Sequence, residues 1–434
     1  MSSRQRQFFR DCWTHNILSF ADSLAKMNEK RLLCVVVILA CLVDTSMAQG
    51  KKMACTYSSS KADAMGYLPE YIPLEVCTHV IFKAFNFPSF VGRQMLFSDN
   101  DKIAFSRVVS SVRTRSNTIP VVASILGNAQ DYTATSGTIA RRKAFVQAAT
   151  SLLLELDADA IELHWRSPGN SNAGLGNGLD RVTMVTLLQD LRQAVNSVSR
   201  SIRNRNRELW FRGSLHPNVI AEAYNVFDVC DLVDHVTIDP DTADNLENSH
   251  APLYSKPIVL PTYVAQLDGN VIYTENGLNT TTQSWIDEGC PPRKLLFGIG
   301  LHGVSKSYSS SLRNFLGERS ALGPARKTYL DYGELCLTIR QGGWSYGWDE
   351  YGFTPYATRA LSDGQEQRIS YEDLNSLRYK MDMVEEKRFG GIYLEYVHSD
   401  DIYGRCGQAY EHTSYVSSRV QAIPSDIGFA IEWN

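Results

Sequence analysis

Short apolar runs alternate with longer stretches of helical period from residue 53 to residue 396. Each run has about four to eight residues, a length typical of buried strands. Between them, residues 140–156 and 183–199 repeat apolar side chains every three or four positions, as an amphipathic helix does. Strands are predicted at residues 53–57, 78–85, 120–125, 158–163, 209–213, 235–238, 295–299 and 391–396. Because eight parallel strands with intervening helices close a barrel, the pattern predicts an α/β fold, a (β/α)₈ TIM barrel.

The interval between the seventh and eighth predicted strands, residues 304–384, is too long for one loop and one helix. We therefore predict a small α+β insertion subdomain there, with residues 49–303 and 385–434 forming the barrel. Aromatic rings in this interval could stack on sugar faces or form the core of the subdomain, and the sequence leaves both interpretations open. The rings belong to Trp344, Tyr346, Trp348, Tyr351, Phe353 and Tyr356.

Residues 1–48 have the layout of a secretory signal peptide. Lys30 and Arg31 precede an apolar run at residues 32–43, and Ser46-Met47-Ala48 offers a small-residue cleavage site. The run is shorter than the roughly 20 residues that a membrane span needs. We therefore expect a secreted, extracellular chain that is not an integral membrane protein after cleavage near Ala48. Because the charged segment before this run is long for a signal peptide, Met27 is an alternative start.

Six cysteines follow the signal, and in an exported chain they can form three disulfides. They are Cys55, Cys77, Cys230, Cys290, Cys336 and Cys406. Cys230 and Cys290 precede the sixth and seventh predicted strands. Parallel neighbours enter a barrel from one end, so we predict a bridge between these two at the N-terminal face. The sequon that begins at Asn279 predicts a glycosylated surface loop.

Charge and motif content exclude other classes of protein. The net charge is −4, and without residues 1–48 there remain 37 basic and 43 acidic residues, so a nucleic-acid partner is not expected. No H-x-x-x-H or C-x-x-C spacing occurs, and we expect no metal and no other cofactor.

Residues 156–168, LDADAIELHWRSP, resemble the fourth-strand signature of the family 18 glycoside hydrolases, the chitinases, with Asp159, Trp165 and Pro168 in register. Residues 55–57 and 77–82 are similar to the first two strands of that family. Residues 285–303 are similar to its seventh-strand block, and ordered matches continue to residue 407. The resemblance implies the barrel, the insertion subdomain and two disulfides, Cys55–Cys77 and Cys336–Cys406.

In that family a glutamate closing the signature protonates the glycosidic oxygen, while the N-acetyl carbonyl of the substrate attacks the anomeric carbon. The resemblance places Arg166 at this general-acid position, His164 at the acetamide-orienting position and Glu162 next to them, with Asp159 unchanged. Arginine donates no proton near neutral pH, and a positioned general acid contributes roughly 10²–10⁴ in rate. His164 could still titrate near pH about 6–7, but as imidazolium it would place positive charge beside the oxazolinium cation. The degenerate signature predicts that the chain is not a chitinase.

Further positions of the implied sugar groove depart from the family. The groove residues are expected to be Tyr57, Trp165, Asp239 and Glu395, with Glu395 in place of a tryptophan that floors a sugar subsite. Ile238 stands in place of a tyrosine, Arg368 in place of a tryptophan, and Leu126-Gly127-Asn128 in place of Gly-Gly-Trp. Lys83 indicates an extra residue in the second strand or a register shift.

Strand alternation directs Glu162, His164 and Arg166 toward one mouth of the barrel. Together with Asp239 and Glu395 they could form a new catalytic centre or an ion-pair network that replaces the lost site. We favour the network, with His164 as a member and not a metal ligand.

These observations favour a secreted, non-catalytic chitinase-like protein. It would bind chitin or related N-acetylglucosamine-containing glycans, or act as an extracellular signalling factor through a cell-surface protein. The alternative is a glycosidase with residual or altered hydrolysis on chitin-type substrates. A third hypothesis, a protein-interaction role without a glycan site, fits the same losses.

Overall fold

Eight parallel strands close a barrel, and their order around it is their order along the chain. They are β1 Lys52–Tyr57, β2 His79–Asn86, β3 Val121–Gly127, β4 Ala160–Trp165, β5 Glu208–Gly213, β6 His235–Ile238, β7 Leu295–Gly300 and β8 Gly391–Glu395. Every predicted strand is confirmed with bounds that differ by at most two residues. The predicted helices are also confirmed, at Ile139–Glu155 and Asp180–Ser197.

This computed structural model describes residues 50–166, 168–169, 176–198, 206–214, 217–240, 251–254, 257–258, 272–273, 277–309, 328–362 and 364–423. The predicted signal segment therefore lies outside the described residues. No helix within the described ranges combines the length and the apolar character that crossing a bilayer requires.

Helices pack around the outside of the strands. The further α-helices are Ser59–Met65, Asp99–Arg115, Ala129–Ser136, Pro217–Ala223, Val226–Leu232, Leu278–Asp287, Tyr332–Arg340, Leu374–Glu386 and Glu411–Ala422. Short 3₁₀ turns occur at Pro69–Tyr71, Pro292–Lys294 and Val397–Ser399. Two small antiparallel pairs join Ser89–Val91 to Gln94–Leu96 and Pro257–Ile258 to Ile272–Tyr273.

The insertion after β7 contains a five-stranded antiparallel sheet. Its strands, in spatial order, are Thr328–Leu330, Gly303–Ser309, Gln365–Ser370, Thr354–Ala360 and Ser345–Asp349. The predicted boundary at residue 384 extends too far. Leu377, Met381 and Val384 of the helix Leu374–Glu386 are buried in the main hydrophobic cluster, so this helix belongs to the barrel.

The aromatic residues of the insertion divide between the two interpretations that the sequence left open. Trp344 is 9% exposed and packs with Leu335 and Ile369 in the core of the insertion. Tyr346 is 68% exposed and Tyr351 47% exposed, so these rings remain available for contact.

All three predicted disulfides are present. Their Cα–Cα distances are 5.8 Å for Cys55–Cys77, 5.4 Å for Cys230–Cys290 and 6.2 Å for Cys336–Cys406, inside the usual range of about 4.4–6.8 Å. Cys230 lies in the helix Val226–Leu232, just before β6, and Cys290 lies just before β7. The second bridge therefore joins elements that lead into neighbouring strands, as predicted.

The sequon at Asn279 does not lie on a loop. Asn279 is half-buried in the first turn of the helix Leu278–Asp287, and the hydroxyl of Thr281 hydrogen-bonds the carbonyl of Gly277 at 3.2 Å. One face of this segment is buried at helical spacing, through Leu278, Thr281, Thr282 and Trp285. This spacing favours a helix over a loop.

Candidate functional site

The interior of the barrel changes from apolar to charged toward the C-terminal ends of the strands. An apolar layer inside the barrel includes Ile81, Val122 and Leu296. Further toward the mouth, alternation along the strands turns four charged side chains inward. They are Lys83 from β2, Glu162 from β4, Arg212 from β5 and Glu395 from β8, and none is more than 8% exposed.

These four side chains form one connected ion-pair network. The Arg212 guanidinium lies 3.2 Å from a carboxylate oxygen of Glu162 and 3.2 Å from one of Glu395. The Lys83 ammonium contacts the other oxygen of Glu395. Two cations therefore balance two carboxylates, which is the condition under which buried charges persist.

Neutral donors complete the hydrogen bonding of Glu162. The hydroxyl groups of Ser124 and Thr237 each donate to Glu162, both at 2.5 Å. Arg212 also donates to the Tyr393 hydroxyl, and its guanidinium lies 4.4 Å from the centre of that ring. Because each oxygen of Glu162 and Glu395 already accepts a hydrogen bond, neither carboxylate is placed to exchange a proton with a substrate.

A bulge in β2 brings Lys83 into this network. Lys83 pairs with Ser124 and Phe85 pairs with Ile125, so Ala84 is the additional residue. Phe82 and Phe85 then both point outward into the hydrophobic core, and Lys83 points inward. The additional residue of this strand is therefore Ala84 and not Lys83, and the register of β2 against β3 shifts at this point.

The environment of Glu395 keeps it ionised. Burial alone raises the pKa of this carboxyl, but the charges of Lys83 and Arg212 more than offset burial and lower the pKa to about 2. Glu395 is therefore a carboxylate at neutral pH and does not act as a general acid.

His164 is buried and stays neutral. Burial, followed by the positive charges of Arg212, Lys83 and Arg166, lowers the pKa of His164 well below its ordinary value. The prediction that His164 could titrate near pH about 6–7 is therefore wrong. His164 forms no ion pair with any described residue, and its Nδ1 atom has no hydrogen-bond partner among them. The network excludes His164, contrary to expectation.

Arg166 also lies outside the network. β4 ends at Trp165, and the backbone N–H of Arg166 donates to the Gly127 carbonyl at 3.0 Å. Its side chain is exposed and lines a cavity beside the mouth. Within the part of the chain that the structure describes, no carboxylate lies within 4.0 Å of its guanidinium. The cation that pairs with Glu162 is Arg212.

A family model described as "Glycosyl hydrolases family 18" matches residues 52–399. The chain belongs to this family. An endochitinase of Manduca sexta is 27% identical over 87% of this chain and 68% of its own length. An oviduct-specific glycoprotein of Sus scrofa is 24% identical over 82% of this chain and 66% of its own length.

Solved structures of family 18 proteins share the fold. The Group IV chitinase of Ostrinia furnacalis superposes with a TM-score of 0.69 at 20% identity, covering 85% of this chain and 99% of that one. Human YKL-39, described as "a pseudo-chitinase with retained chitooligosaccharide binding properties", superposes with a TM-score of 0.67 at 18% identity, with coverage of 85% and 99%.

Two other residues that the family 18 pattern singled out, Asp159 and Trp165, lie away from the network. Asp159 precedes β4, where it accepts hydrogen bonds from Arg113 at 2.6 Å and from the Val121 N–H at 2.9 Å. Trp165 points outward, is 2% exposed and stacks on Tyr132 at 5.1 Å. The structure therefore places Trp165 in the wall of the barrel and not in the groove.

Tyr57 is buried at the end of β1. It is 2% exposed, and its hydroxyl donates to the Tyr67 carbonyl at 3.2 Å. Asp239 follows β6 and is half-buried. Burial lowers the pKa of Arg212, but the charges of Glu162, Glu395 and Asp239, in that order of size, offset burial and raise the pKa. On β6, Thr237 faces the interior and Ile238 faces the outer core, so Ile238 does not occupy the site.

Arg368 and the possible metal ligands remain to be placed relative to the predictions from the sequence. Arg368, in the place of the expected tryptophan, lies 3.6 Å from the centre of the Tyr356 ring and is 7% exposed. Among the described residues, no group of three histidine, cysteine, aspartate or glutamate side chains is placed to hold a metal ion.

Four residues of the network and its surroundings were not predicted from the sequence as site residues, namely Arg212, Ser124, Thr237 and Tyr393. One signal was available for Arg212. Glu208, Trp210 and Arg212 occupy every second position of β5, so their side chains point to the same face of the strand. An arginine that faces the interior of a barrel requires a carboxylate partner.

Removing either member of the Lys83–Glu395 pair should lower the free energy of unfolding by about 3–5 kcal/mol, because the other charge stays buried without its partner. Denaturation of Lys83→Met, Glu395→Gln and the combined variant tests this. The combined loss should be smaller than the sum, since paired charges are coupled. The exposed Lys102–Asp99 pair is the control, where Lys102→Met should cost under about 1 kcal/mol. Additive losses would show that Lys83 and Glu395 are not coupled.

Stability should also depend on pH through Glu395. Its pKa of about 2 in the folded chain lies below the ordinary 4.5. The stabilising contribution is therefore complete above pH about 4.5 and is lost as the pH falls toward about 2. Denaturation at stepped pH should show a shallower decline for Glu395→Gln than for the native chain. Glu155→Gln, at an exposed position, should retain the native slope, and equal slopes for all three proteins would contradict the assignment.

Proposed function

We propose that this chain is an extracellular, non-catalytic family 18 protein that binds N-acetylglucosamine-containing glycans of the chitin type. The observation that carries the proposal is the closed network of Lys83, Glu162, Arg212 and Glu395 below the general-acid position, which itself holds Arg166. The carboxyl groups needed for hydrolysis are absent or occupied by these ion pairs.

Each step of the family chemistry lacks a group in this chain. Arg166 has no proton to give to a leaving oxygen near neutral pH. Its positive charge also opposes the oxazolinium cation that forms when the acetamide attacks. His164 is neutral and offers no negative charge to stabilise that cation. The alternative hydrolysis built on Asp239 and Glu395 is disfavoured, because Glu395 is ionised and paired with two cations.

Support for glycan binding comes from the family and from exposed rings. YKL-39 is described as keeping chitooligosaccharide binding as a pseudo-chitinase. In this chain, Tyr346 and Tyr351 of the insertion present exposed rings of the kind that stack on sugar faces. The role of Asp239 in a groove is part of this proposal, whereas Tyr57 is buried like Trp165 and is not placed to contact a ligand.

Support for an extracellular location comes from the N-terminal sequence and from the three disulfides. Disulfides persist in oxidising compartments. Action through a cell-surface protein, and glycosylation at Asn279, are compatible parts of the same proposal.

The native chain should release no chromophore from chitooligosaccharide substrates at any pH between about 4 and 8. Arg166→Glu alone should not restore hydrolysis, because the acetamide position still holds His164 and Glu395 stays in its ion pairs. A competent family 18 chitinase under the same conditions is the control. Turnover by the native chain that disappears in Glu395→Gln would overturn the proposal. A glycan array tests binding separately, and chitin-type oligosaccharides should be retained.

Secreted protein should begin near Gln49 or Gly50, because cleavage is expected after Ala48. N-terminal sequencing of protein recovered from culture medium measures this. Retention of the whole chain in the membrane fraction would contradict the extracellular assignment.

A further inference from the structure

A cavity of about 610 Å³ opens beside the barrel mouth and lies apart from the buried network. The hairpin formed by Ser89–Val91 and Gln94–Leu96 lines one side, and the helix Ala129–Ser136 lines another. Its volume falls within the range of about 300–1,000 Å³ that is usual for sites of small molecules.

The Phe87 ring lines this cavity, and two further aromatic rings pack behind it. The Phe87 ring lies 4.7 Å from the Tyr132 ring, which in turn stacks on Trp165 at 5.1 Å. Gly127 lies between them, because a Cβ atom there would come within 2.6 Å of Phe87 and 2.5 Å of Tyr132. These rings are closely packed, and any side chain at position 127 would clash with two of them, so the position requires glycine.

Two exposed arginines line the same cavity without a carboxylate partner. Among the described residues, neither Arg141 nor Arg166 forms an ion pair, and the Arg141 guanidinium lies 5.7 Å from the centre of the Phe90 ring. The adjacent Arg142, outside the cavity, pairs with Asp190 at 2.9 Å. Arg142 therefore stabilises the fold through an ion pair, whereas the two cavity arginines have no such structural role among the described residues.

The balance of charge in the cavity is positive. Asp131 is the acidic side chain in the lining, and its carboxylate accepts the backbone N–H of Asn128 as part of the helix cap. Two guanidinium groups therefore face one carboxylate that is already engaged. Phe90, 46% exposed, adds an apolar face next to the charge.

We infer that this cavity binds the anionic group of an acidic saccharide, a carboxylate or a sulfate on a sugar ring. Arg141 and Arg166 contact the anion, and the Phe90 ring packs against a sugar face. The inference rests on the proposed glycan binding and specifies the class of glycan.

Chemistry favours an anion over a neutral sugar at this place. A guanidinium presents parallel N–H donors that match the paired oxygens of a carboxylate or a sulfate. Covering an unpaired guanidinium with a neutral sugar removes water without supplying a counter-charge, which is unfavourable. An acidic ring supplies that charge, and the exposed amides of Asn128 and Gln130 offer partners for its hydroxyl groups.

Titration of the full secreted chain with labelled oligosaccharides tests the inference. The probes are a sulfated heparin-derived tetrasaccharide, a carboxylated hyaluronan-derived tetrasaccharide, neutral chitotetraose and an oligoglutamate peptide. The variants are Arg141→Gln, Arg166→Gln and their combination. Lys143→Gln is the matched control, because it removes one exposed positive charge from the same helix without touching the cavity.

The acidic saccharides should bind more tightly than chitotetraose, and their affinity should fall about tenfold for each arginine removed. Lys143→Gln should change it by less than about twofold, and Arg141→Gln should leave chitotetraose binding within about twofold of the native chain. If the arginine variants lose affinity for the sulfated probe alone, the site binds sulfate. If they lose affinity for the hyaluronan probe alone, the site binds carboxylate.

Several outcomes would overturn the inference. Acidic saccharides that bind no better than chitotetraose, or that bind the double variant as well as the native chain, would remove it and leave the proposed function intact. Equal binding of the oligoglutamate peptide would show an acidic protein segment as the partner instead. If acidic saccharides bind and chitotetraose does not, the inference stands and the chitin-type specificity of the proposed function fails. Binding of none of the saccharides would contradict both.

Discussion

The ion pairs that Arg212 makes with Glu162 and Glu395 determine the character of this barrel. Two carboxylates facing each other across a dry interior would repel, and each would lose its hydration. The guanidinium between them supplies both charge and directed hydrogen bonds, and Lys83 completes the balance. The interior is thereby filled with matched charges below the mouth of the barrel. Contact with a ligand is left to the rim.

The sequence predicted the framework well because the framework follows from local patterns. Short apolar runs located the strands and helical periodicity located the helices, since burial on both faces of a parallel barrel leaves strong apolar runs. The Cys230–Cys290 bridge followed from the order of two neighbouring parallel strands. The boundary of the insertion could not be placed as well, because an amphipathic helix looks the same whether it packs on the insertion or on the barrel.

The site was predicted in part, and its errors have a common physical origin. Glu162 and Glu395 were predicted as network members, but their partner Arg212 was not. It lies on β5, which neighbours the β4 strand of Glu162 and is distant along the chain and around the barrel from the β8 strand of Glu395. Sequence spacing does not encode that contact. A shift of one residue exchanges the inner and outer faces of a strand. For this reason Thr237, and not Ile238, faces the interior, and a bulge turns Lys83 inward. Arg166 follows the last residue of β4, so alternation no longer fixes its direction.

Arg212 and Arg166 differ in whether their charge is available to a ligand. Arg212 is enclosed, and the carboxylates around it cancel its charge before any ligand arrives. Arg166 is exposed and meets no carboxylate in the described part of the chain, so its charge remains available. In the family 18 reaction the same region stabilises a developing positive charge on the sugar. If Arg166 holds the general-acid position, as proposed, its fixed guanidinium opposes that charge. Under the proposed acidic-saccharide site, the same residue would both lack the proton of a general acid and favour ligands that carry negative charge.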